Sequence, residues 1–362
     1  REYELTRAVA LTLQHAILGP TELPHGFAVR YTPAVEPLEV GGDWYDVIEL
    51  GAGRTALVVG DVMGRGVRAA AEMGQLRAAV RAYARLDLTP TDVLEFLDGV
   101  VRDLGEDQIV TCVYCVYDPN EGELSVASAG HLPPLLLSDD GSVSRLGVTG
   151  PPLGTGNLIL TETVVALPAG ATLLLYTDGL VETRARDIEG GIEELAHHLA
   201  SASPVLEDLP QALVDAMLPN EPDDDVALLV AAVSRDTDLG QHLTLRVEPA
   251  EQQVQQVRRS VAEALTRWDV MPTRRDEIVL LTSELVTNAM IHGQPPIELR
   301  IRATPTQVIL DVRDAATYLP RRLRPREDDE HGRGLQLVSI LAQRWGTRPL
   351  STGKSVWCVV AR

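Results

Sequence analysis

Short apolar runs separated by turn residues recur from Phe27 to about Val233 and predict a series of β-strands. The strand segments are AVRYTPA, DWYDVIEL, TALVVGD, IVTCVYCVY, GELSVASAG, PPLLLS, TETVVAL, ATLLLYTD and DVALLVAAV. Helical spacing of apolar residues is found over residues 66–86, 89–105, and near 190–201 and 208–218. Because each sheet must cover its apolar face, this pattern predicts an α+β layered sandwich over residues 21–235.

A polar stretch from Ser234 to Gly240 interrupts the strand pattern and predicts a linker, with a domain boundary near residue 238. Beyond it, a second and smaller α+β unit is expected over residues 241–362. Its predicted strands are HLTLRVEP, PIELRIRA, QVILDVRD and SVWCVVA. Its predicted helices cover residues 250–268, 273–291 and 334–344, with a polar loop over 315–333 before the last helix.

The first 20 residues predict an amphipathic helix that ends before the breaker Gly19-Pro20. We expect this helix to relay a signal from an upstream sensor domain, or to form a homodimer through its apolar stripe. The chain opens with Arg1 and shows no secretory leader, which favours a piece of a longer cytoplasmic protein. Since no apolar stretch approaches the ~18 residues of a bilayer span, no membrane contact is expected.

The net charge of −20 is unevenly distributed between the two predicted units. Residues 1–240 contain 14 arginines and 38 acidic residues, a net charge of −24, whereas residues 241–362 have a net charge of +4. An acidic surface of this kind argues against binding of nucleic acid, because phosphate binding needs a basic face. The acidic half suits a cation, and the second half suits an anion such as a nucleotide.

Cysteine usage points to a reducing compartment, since three cysteines form no disulfide framework. Cys112 and Cys115 form a C-x-x-C pair inside the apolar run IVTCVYCVY. A spacing of three residues places their thiols on opposite faces of a strand, which disfavours a shared metal or redox role.

Four acidic motifs lie inside or at the end of predicted strands, usually beside glycine. They contain Asp43 and Asp46 in GGDWYD, Asp61 in VVGDVMGRG, Asp178 and Glu182 in LLLYTDGLVE, and Asp223, Asp224 and Asp225 in PDDDVALLV. Taken singly, each aspartate fits an ordinary turn or helix cap. If the strand ends meet, the carboxylates repel unless a cation neutralises them, and Mg²⁺ or Mn²⁺ prefers such oxygen ligands.

In their order and residues, these motifs resemble those of the metal-dependent serine/threonine protein phosphatases (PPM), specifically the SpoIIE/RsbU-type branch. The resemblance covers residues 20–233 and includes GGDWYD, GDVMGRG, ASAGHLPP, GPPLG, YTDGLVE and DDVALLV. It implies a β-sandwich flanked by helices, and two Mn²⁺ or Mg²⁺ ions that activate water for attack on phosphorus. The implied ligands are Asp43, Asp61, Asp178 and Asp224, with Asp61 bridging the two ions and the Val62 carbonyl assisting.

Three points in the phosphatase half stay open. Asp225 is the alternative to Asp224 as the fourth ligand. His131, in AGHLPP, is either a general acid or a loop histidine that ties backbone groups together. Arg65 stands where related sequences vary, and the contacts to phosphate are unassigned.

In the second unit, Glu284, Asn288 and His292 share one face of the predicted helix DEIVLLTSELVTNAMIHG. The stripe is either an exposed polar face or part of a phosphate site. The second interpretation is supported by Asp314 at the end of a strand and by HGRGLQLV, which opens a helix with Gly332, Arg333 and Gly334. Backbone amides at such a helix N-terminus suit phosphate.

These segments resemble the GHKL ATPases, specifically the anti-sigma-factor serine kinases, over residues 242–361. The resemblance implies that Asn288 holds Mg²⁺ on ATP and that Glu284 orients or deprotonates the attacking serine. It also implies that Asp314 accepts from the adenine amino group, and that the HGRG segment (Gly332, Arg333, Gly334) contacts the phosphates. Ala315 and Ala316 depart from the family, which has a glycine there. A histidine kinase is disfavoured because the helix over 250–268 contains no histidine.

The sequence therefore predicts a bifunctional signalling protein. The first unit would dephosphorylate, and the second phosphorylate, a serine of an anti-anti-sigma (STAS-type) protein, in the partner switching of a sigma factor. Two alternatives are open: a second unit that only sequesters a partner such as the sigma factor, and a first unit that is a non-catalytic scaffold. A phosphatase for small metabolites is less favoured, because the acidic site shows no specificity pocket.

Overall fold

The computed structural model describes residues 23–34, 41–64, 66–105, 107–147, 149–156, 158–202, 205–218, 222–233, 241–317, 333–350 and 352–362. The chain divides into two compact units, and the boundary falls between residues 233 and 241. Several predictions from the sequence lie outside the described residues. They are the N-terminal helix, the linker, Arg65, Gly332, and most of the loop before the last helix.

Two sheets form the centre of the first unit. Sheet 1 contains, in spatial order, β1 (Phe27–Thr32), β11 (Val226–Ala232), β10 (Thr172–Tyr176), β6 (Leu135–Leu137) and β7 (Val143–Arg145). Sheet 2 contains β2 (Asp43–Glu49), β3 (Thr55–Val62), β4 (Val110–Asp118), β5 (Glu123–Ala129) and β8 (Thr149–Gly150), and β9 (Thr163–Ala166) also pairs with β5. All these pairs are antiparallel except β5 with β8.

Helices cover the outer faces of both sheets. The helices α1 (Val67–Ala84) and α2 (Pro90–Leu104) pack on sheet 2, and α3 (Asp178–Val181), α4 (Ile188–Ser201) and α5 (Leu209–Met217) pack on sheet 1. Thr89 caps α2 by accepting from the Asp92 amide at 3.2 Å, and Asp187 caps α4 by accepting from Gly190 at 2.8 Å. The result is a four-layer sandwich, in the order helices, sheet 2, sheet 1, helices.

Side chains alternate between the layers with the period of two that strands impose. On β10, Leu173 and Leu175 lie in the core between the sheets, whereas Leu174 and Tyr176 face the helices. On β4, Cys112 packs under the helices and Cys115 packs between the sheets. The two thiols therefore lie on opposite faces, as their spacing predicts.

The second unit is an antiparallel sheet with helices over one face. Sheet 3 contains, in spatial order, β12 (Gln241–Val247), β13 (Ile297–Ala303), β14 (Gln307–Asp314), β16 (Gly353–Ala361) and β15 (Arg344–Leu350). The helices are α6 (Glu251–Arg267), α7 (Pro272–His292) and α8 (Arg333–Leu341). Leu299, Leu310 and Cys358 from the sheet share one core with residues of these helices.

The predicted α+β class and the helix-flanked sandwich are confirmed. The elements that the hydrophobic pattern did not predict are β7, β8, α3 and β15. The segment RWGTRPL of β15 contains few apolar residues, and it begins at Arg344, where the last helix was expected to end. None of the described helices combines the length and the apolarity of a membrane span.

Candidate functional site

Three of the predicted metal ligands meet at one end of the sandwich. Asp43 opens β2 and pairs directly with Asp61 near the end of β3. Asp178 follows β10 and is the first residue of α3, rather than the end of a strand as expected. One carboxylate oxygen from each residue can be chosen so that all three lie within 4.8 Å of one another.

Gly42 allows the backbone to approach this cluster closely. A Cβ atom at position 42 would lie 2.1 Å from the Val62 carbonyl oxygen and 2.8 Å from Asp61 Oδ1. A side chain at this position would therefore displace both groups, and the motif requires glycine for steric reasons.

Burial and mutual repulsion make the cluster resist ionisation. Burial, then the charge of Asp61, raises the pKa of Asp43 well above its ordinary value. Burial, then the charge of Asp178, raises the pKa of Asp61 to about 7. Burial, then the charge of Asp224, also raises the pKa of Asp178. Three acidic groups thus occupy a site where additional positive charge would be strongly favourable.

The donor set fits hard divalent cations. Oδ2 of Asp43 is buried and has no hydrogen-bond partner among the described residues, so it keeps a lone pair for a ligand. Carboxylate oxygens, with a nearby backbone carbonyl, are the donors that Mg²⁺ and Mn²⁺ prefer. The arrangement therefore suits a divalent cation, and the second ion stays an implication of the family resemblance.

Asp224 and Asp225 have different surroundings just before β11. Asp225 is 3% exposed, and its Oδ1 accepts from the Ala34 amide at 2.8 Å. Its carboxylate also fills the space in which Gly41 would place a Cβ atom. Asp224 is exposed, and it contributes more than Asp225 to the raised pKa of Asp61. Asp225 in turn adds to the raised pKa of Asp43. The choice of Asp224 as the fourth ligand, with Asp225 as the alternative, therefore stays a prediction.

Asp46 belongs to the same GGDWYD motif but faces away from the cluster. Its two oxygens accept from Arg81 Nε at 2.6 Å and Nη2 at 2.7 Å, and Arg77 Nε donates at 3.1 Å. These arginines lie on α1, so Asp46 ties β2 to the helix that covers sheet 2. Residues three apart on a strand point to opposite faces, which separates Asp46 from Asp43.

In the second unit, the predicted polar stripe meets the glycine-rich helix start. A Cβ atom at Gly334 would lie 2.7 Å from Glu284 Oε2 and 3.1 Å from Asn288 Nδ2. Gly334 on α8 is therefore packed directly against both half-buried side chains of α7. His292 is exposed at the end of α7, and Arg333 begins α8.

Asp314, at the end of β14, is 3% exposed and is surrounded by donors. Its Oδ1 accepts from Gln294 N at 3.3 Å, Ala316 N at 2.9 Å and Lys354 Nζ at 3.1 Å. Oδ2 has no hydrogen-bond partner among the described residues. A buried acceptor of this kind fits an amino group such as that of adenine.

Lys354 is the functional candidate that sequence reasoning missed. It lies next to Asp314 in the β14–β16 register, 40 residues away along the chain. The signal in the sequence was a lone lysine directly before the predicted terminal strand, the only lysine of the second half. Both side chains of this ion pair are almost completely buried.

Comparisons with known protein families agree with the two units. The family model described as Stage II sporulation protein E (SpoIIE) matches residues 51–234. The model described as histidine kinase-like ATPase domain matches residues 247–359.

Two curated proteins of Bacillus subtilis are similar to parts of the chain. Phosphoserine phosphatase RsbP is 28% identical over 153 residues, which are 41% of this chain and 38% of RsbP. Phosphoserine phosphatase RsbU is 25% identical over 217 residues, which are 57% of this chain and 64% of RsbU. The chain thus spans less than two thirds of the length of either relative.

A solved structure resembles the chain through both units. The crystal structure of RsbU and RsbW domains from Mycobacterium tuberculosis has 29% sequence identity and a TM-score of 0.55. The similarity covers 93% of this chain and 93% of that one. The order of the two units is therefore shared with a known pair of domains.

Proposed function

We propose, because the chain belongs to the Stage II sporulation protein E (SpoIIE) family, that its first unit is a metal-dependent phosphoserine protein phosphatase. The observation that supports this most directly is the meeting of Asp43, Asp61 and Asp178 within 4.8 Å. Their raised pKa values have burial as the main cause and mark a site built for cations.

Each side chain has a defined task in this proposal. Asp43, Asp61, Asp178 and Asp224 would hold two Mn²⁺ or Mg²⁺ ions, and Gly42 leaves room for the Val62 carbonyl beside them. When bound, the ions make a nucleophile available from water near neutral pH and neutralise charge on the phosphoryl oxygens. The carboxylates supply the negative charge that retains the ions.

His131 is not a general acid in this mechanism. Both of its ring nitrogens are hydrogen-bonded inside the protein, to Thr111 and to the backbone of Tyr176. Burial lowers the pKa of His131 to about 4, so the ring is neutral at physiological pH. A neutral ring with no free donor has no proton to give to a leaving serine.

The second unit is proposed to be an ATP-dependent serine kinase. Asn288 would hold Mg²⁺ on the ATP phosphates, and Glu284 would orient the attacking hydroxyl. The free Oδ2 of Asp314 would accept from the adenine amino group, and the HGRG segment would approach the phosphates. The contact of Gly334 with Glu284 and Asn288 supports this arrangement, because it places the start of α8 against the two side chains of α7 proposed to act on ATP and serine.

The substrate of both units is proposed to be a STAS-type anti-anti-sigma protein in the cytoplasm. Support comes from the phosphatase relatives and from the shared order of RsbU and RsbW domains. Opposed activities in one chain would set the phosphorylation level of such a protein. That level would then decide whether a sigma factor is bound or released.

The proposal is tested by incubating the protein with a panel of serine-phosphorylated STAS proteins. Phosphate release is measured with Mn²⁺, with Mg²⁺ and with EDTA. We expect release only with a divalent cation, and loss of release in Asp61→Asn. Full activity in EDTA, or in Asp61→Asn, would exclude the proposed phosphatase mechanism.

A second unit that only sequesters a partner is the competing function. It is favoured by Lys354, which already donates to Asp314, and by Ala315 and Ala316 in place of the family glycine. Calorimetric titration with Mg-ATP separates the two functions. Binding that is lost in Asn288→Ala supports the kinase, and no binding by the wild-type protein supports sequestration.

A further inference from the structure

His131 occupies a distinctive place in the first unit. It lies in the loop between β5 and β6, within the AGHLPP segment, and is 4% exposed. Its two hydrogen-bond partners belong to different sheets, because Thr111 is on β4 of sheet 2 and Tyr176 is on β10 of sheet 1. The ring is therefore a polar link between the two sheets, which otherwise pack on each other through a shared apolar core.

The hydrogen bonds define the state of the ring. The Tyr176 carbonyl oxygen, 3.1 Å from Nε2, can only accept, so Nε2 carries the proton and donates. In the neutral ring Nδ1 is then an acceptor, and the Thr111 hydroxyl donates to it at 2.8 Å. Each ring nitrogen thus has one hydrogen-bond partner, and the two partners belong to different sheets.

Both partners stand next to proposed cation ligands. Thr111 is the residue directly opposite Asp61 in the β3–β4 register. Tyr176 ends β10, two residues before Asp178, and Thr177 between them accepts from the Ala227 amide at 2.9 Å. The His131 link thus joins the backbone beside Asp61 to the backbone beside Asp178.

The geometry points to His131 as a positioning residue that fixes the spacing between Asp61 and Asp178 across the two sheets. This inference rests on the proposed function of the cluster as a cation site. Asp43 and Asp61 are held together by strand pairing within sheet 2. Asp178 comes from the other sheet, so no backbone ladder sets its distance from Asp61. The imidazole link does so together with the side-chain hydrogen bond between Asp43 and Thr177, the neighbour of Asp178.

Two substitutions test the link. In His131→Gln the side-chain amide reaches about as far as Nε2 and can donate to Tyr176, while its oxygen can accept from Thr111, so both halves can be kept. In His131→Asn the shorter amide can replace only Nδ1, so the link to sheet 1 is lost. Ser128→Ala is the matched control, because Ser128 donates to the His131 backbone carbonyl at 3.1 Å and its loss leaves the ring in place.

Mn²⁺ binding to the full chain is measured by calorimetry, and the melting temperature is measured in EDTA. We expect His131→Asn to weaken Mn²⁺ binding by about tenfold or more. His131→Gln should lie closer to the wild type, and Ser128→Ala should bind like the wild type. A purely structural role would lower the melting temperature of His131→Asn without changing its affinity for Mn²⁺.

Three outcomes would overturn the inference: unchanged Mn²⁺ affinity in His131→Asn, equal losses in His131→Asn and Ser128→Ala, or a loss in His131→Gln as large as in His131→Asn. Circular dichroism in EDTA identifies variants that are folded and can be compared. If the wild-type protein binds no Mn²⁺, the proposed function itself fails. That result differs from each of the three, because they all require a wild type that binds.

Discussion

At the scale of single residues, three acidic groups lie close together at the end of the sandwich, Asp43 buried and Asp61 and Asp178 partly buried. Water would solvate these carboxylates in the unfolded chain, whereas burial and repulsion disfavour their charged forms in the folded one. The metal-free protein therefore keeps protons on the cluster that the unfolded chain releases. The cluster is a source of instability that a cation relieves.

The pH dependence of metal-free stability follows from the sign of these shifts. The pKa of Asp61 is raised from its ordinary 3.8 to about 7, chiefly by burial. A raised folded pKa gives stability that is complete below the unfolded value and is lost as pH rises through the folded one. In EDTA, we expect the free energy of unfolding to fall between pH 6.5 and 8, and saturating Mn²⁺ to restore it most at pH 8.

Urea unfolding of the wild type and of Asp61→Asn across this window measures the effect. His131 affects stability with the opposite sign, because burial lowers its pKa from 6.5 to about 4. Its contribution to the free energy of unfolding is therefore complete above pH 6.5 and is lost as pH falls below that value. Between pH 6.5 and 8 the contribution of His131 is therefore nearly constant. Identical slopes for the wild type and Asp61→Asn would contradict the prediction.

Asp224 and Asp225 are expected to respond differently to substitution. Asp224→Ala should weaken Mn²⁺ binding by about tenfold with little change in stability. Asp225→Ala leaves the Ala34 amide without its acceptor and should cost about 1–3 kcal/mol of unfolding free energy. Calorimetry and chemical denaturation of both variants measure these effects. A stronger loss of Mn²⁺ binding in Asp225→Ala would make Asp225 the fourth ligand.

At the scale of elements, ion pairs and close packing fix how helices meet the sheets. The Asp46 carboxylate is fully buried and binds Arg77 and Arg81, which ties α1 to β2. Since α1 follows β3 and Asp61 along the chain, this tie also limits where the chain after Asp61 can lie.

Removal of the Asp46 carboxylate should destabilise the first unit strongly. Asp46→Ala leaves two arginine side chains without their shared partner, and we expect a loss of about 3 kcal/mol in chemical denaturation. Glu189→Ala is the control, because its ion pair with Arg145 at 2.7 Å is largely exposed and should contribute about 1 kcal/mol or less. Equal losses in the two variants would show that Asp46 does not stabilise the contact of α1 with β2.

Contact between α7 and α8 should make Gly334 intolerant of substitution. In Gly334→Ala the new methyl group would meet Glu284 and Asn288, so we expect Mg-ATP binding to fall by about tenfold or more, at a cost of about 1.4 kcal/mol per tenfold. Gly99→Ala is the matched control, because a Cβ atom added at position 99 would meet nothing within 4 Å. Calorimetry of both variants measures the difference, and wild-type affinity in Gly334→Ala would contradict the proposed nucleotide site.

At the scale of the whole molecule, the chain combines two units of different charge and different chemistry. The first unit is strongly acidic, and three of its carboxylates lie together in a candidate cation site. The second unit has a small net positive charge, because its basic residues outnumber its acidic ones. Each candidate site is built from the residues of one unit alone. The two proposed activities should therefore be separable by single substitutions.

Asp61→Asn should abolish metal-dependent dephosphorylation and leave Mg-ATP binding unchanged. Asn288→Ala should do the reverse, because it removes the side chain proposed to hold Mg²⁺ on ATP. Phosphate release from a phosphorylated STAS protein and calorimetry with Mg-ATP measure the two properties in the full chain. Loss of both properties in either variant would show that the sites are not independent.

The local pattern of the sequence predicted most of the elements, because alternation of apolar residues and turn chemistry act over a few residues. It also predicted the opposite faces of Cys112 and Cys115. The same period of two separates Asp46 from Asp43, although both residues belong to one motif. The β15 strand was missed because RWGTRPL has no clear alternation of apolar residues.

The sequence by itself determined which residue types stand at the ends of the strands, and its motif order indicated two families. Only the tertiary structure decided which of these groups meet. Thr111, His131 and Tyr176 lie far apart along the chain, and the packing of the two sheets brings them together. Asp314 and Lys354 are 40 residues apart, and the β14–β16 register pairs them. Burial and the direction of a pKa shift depend on all neighbours in space, so a linear pattern does not specify them.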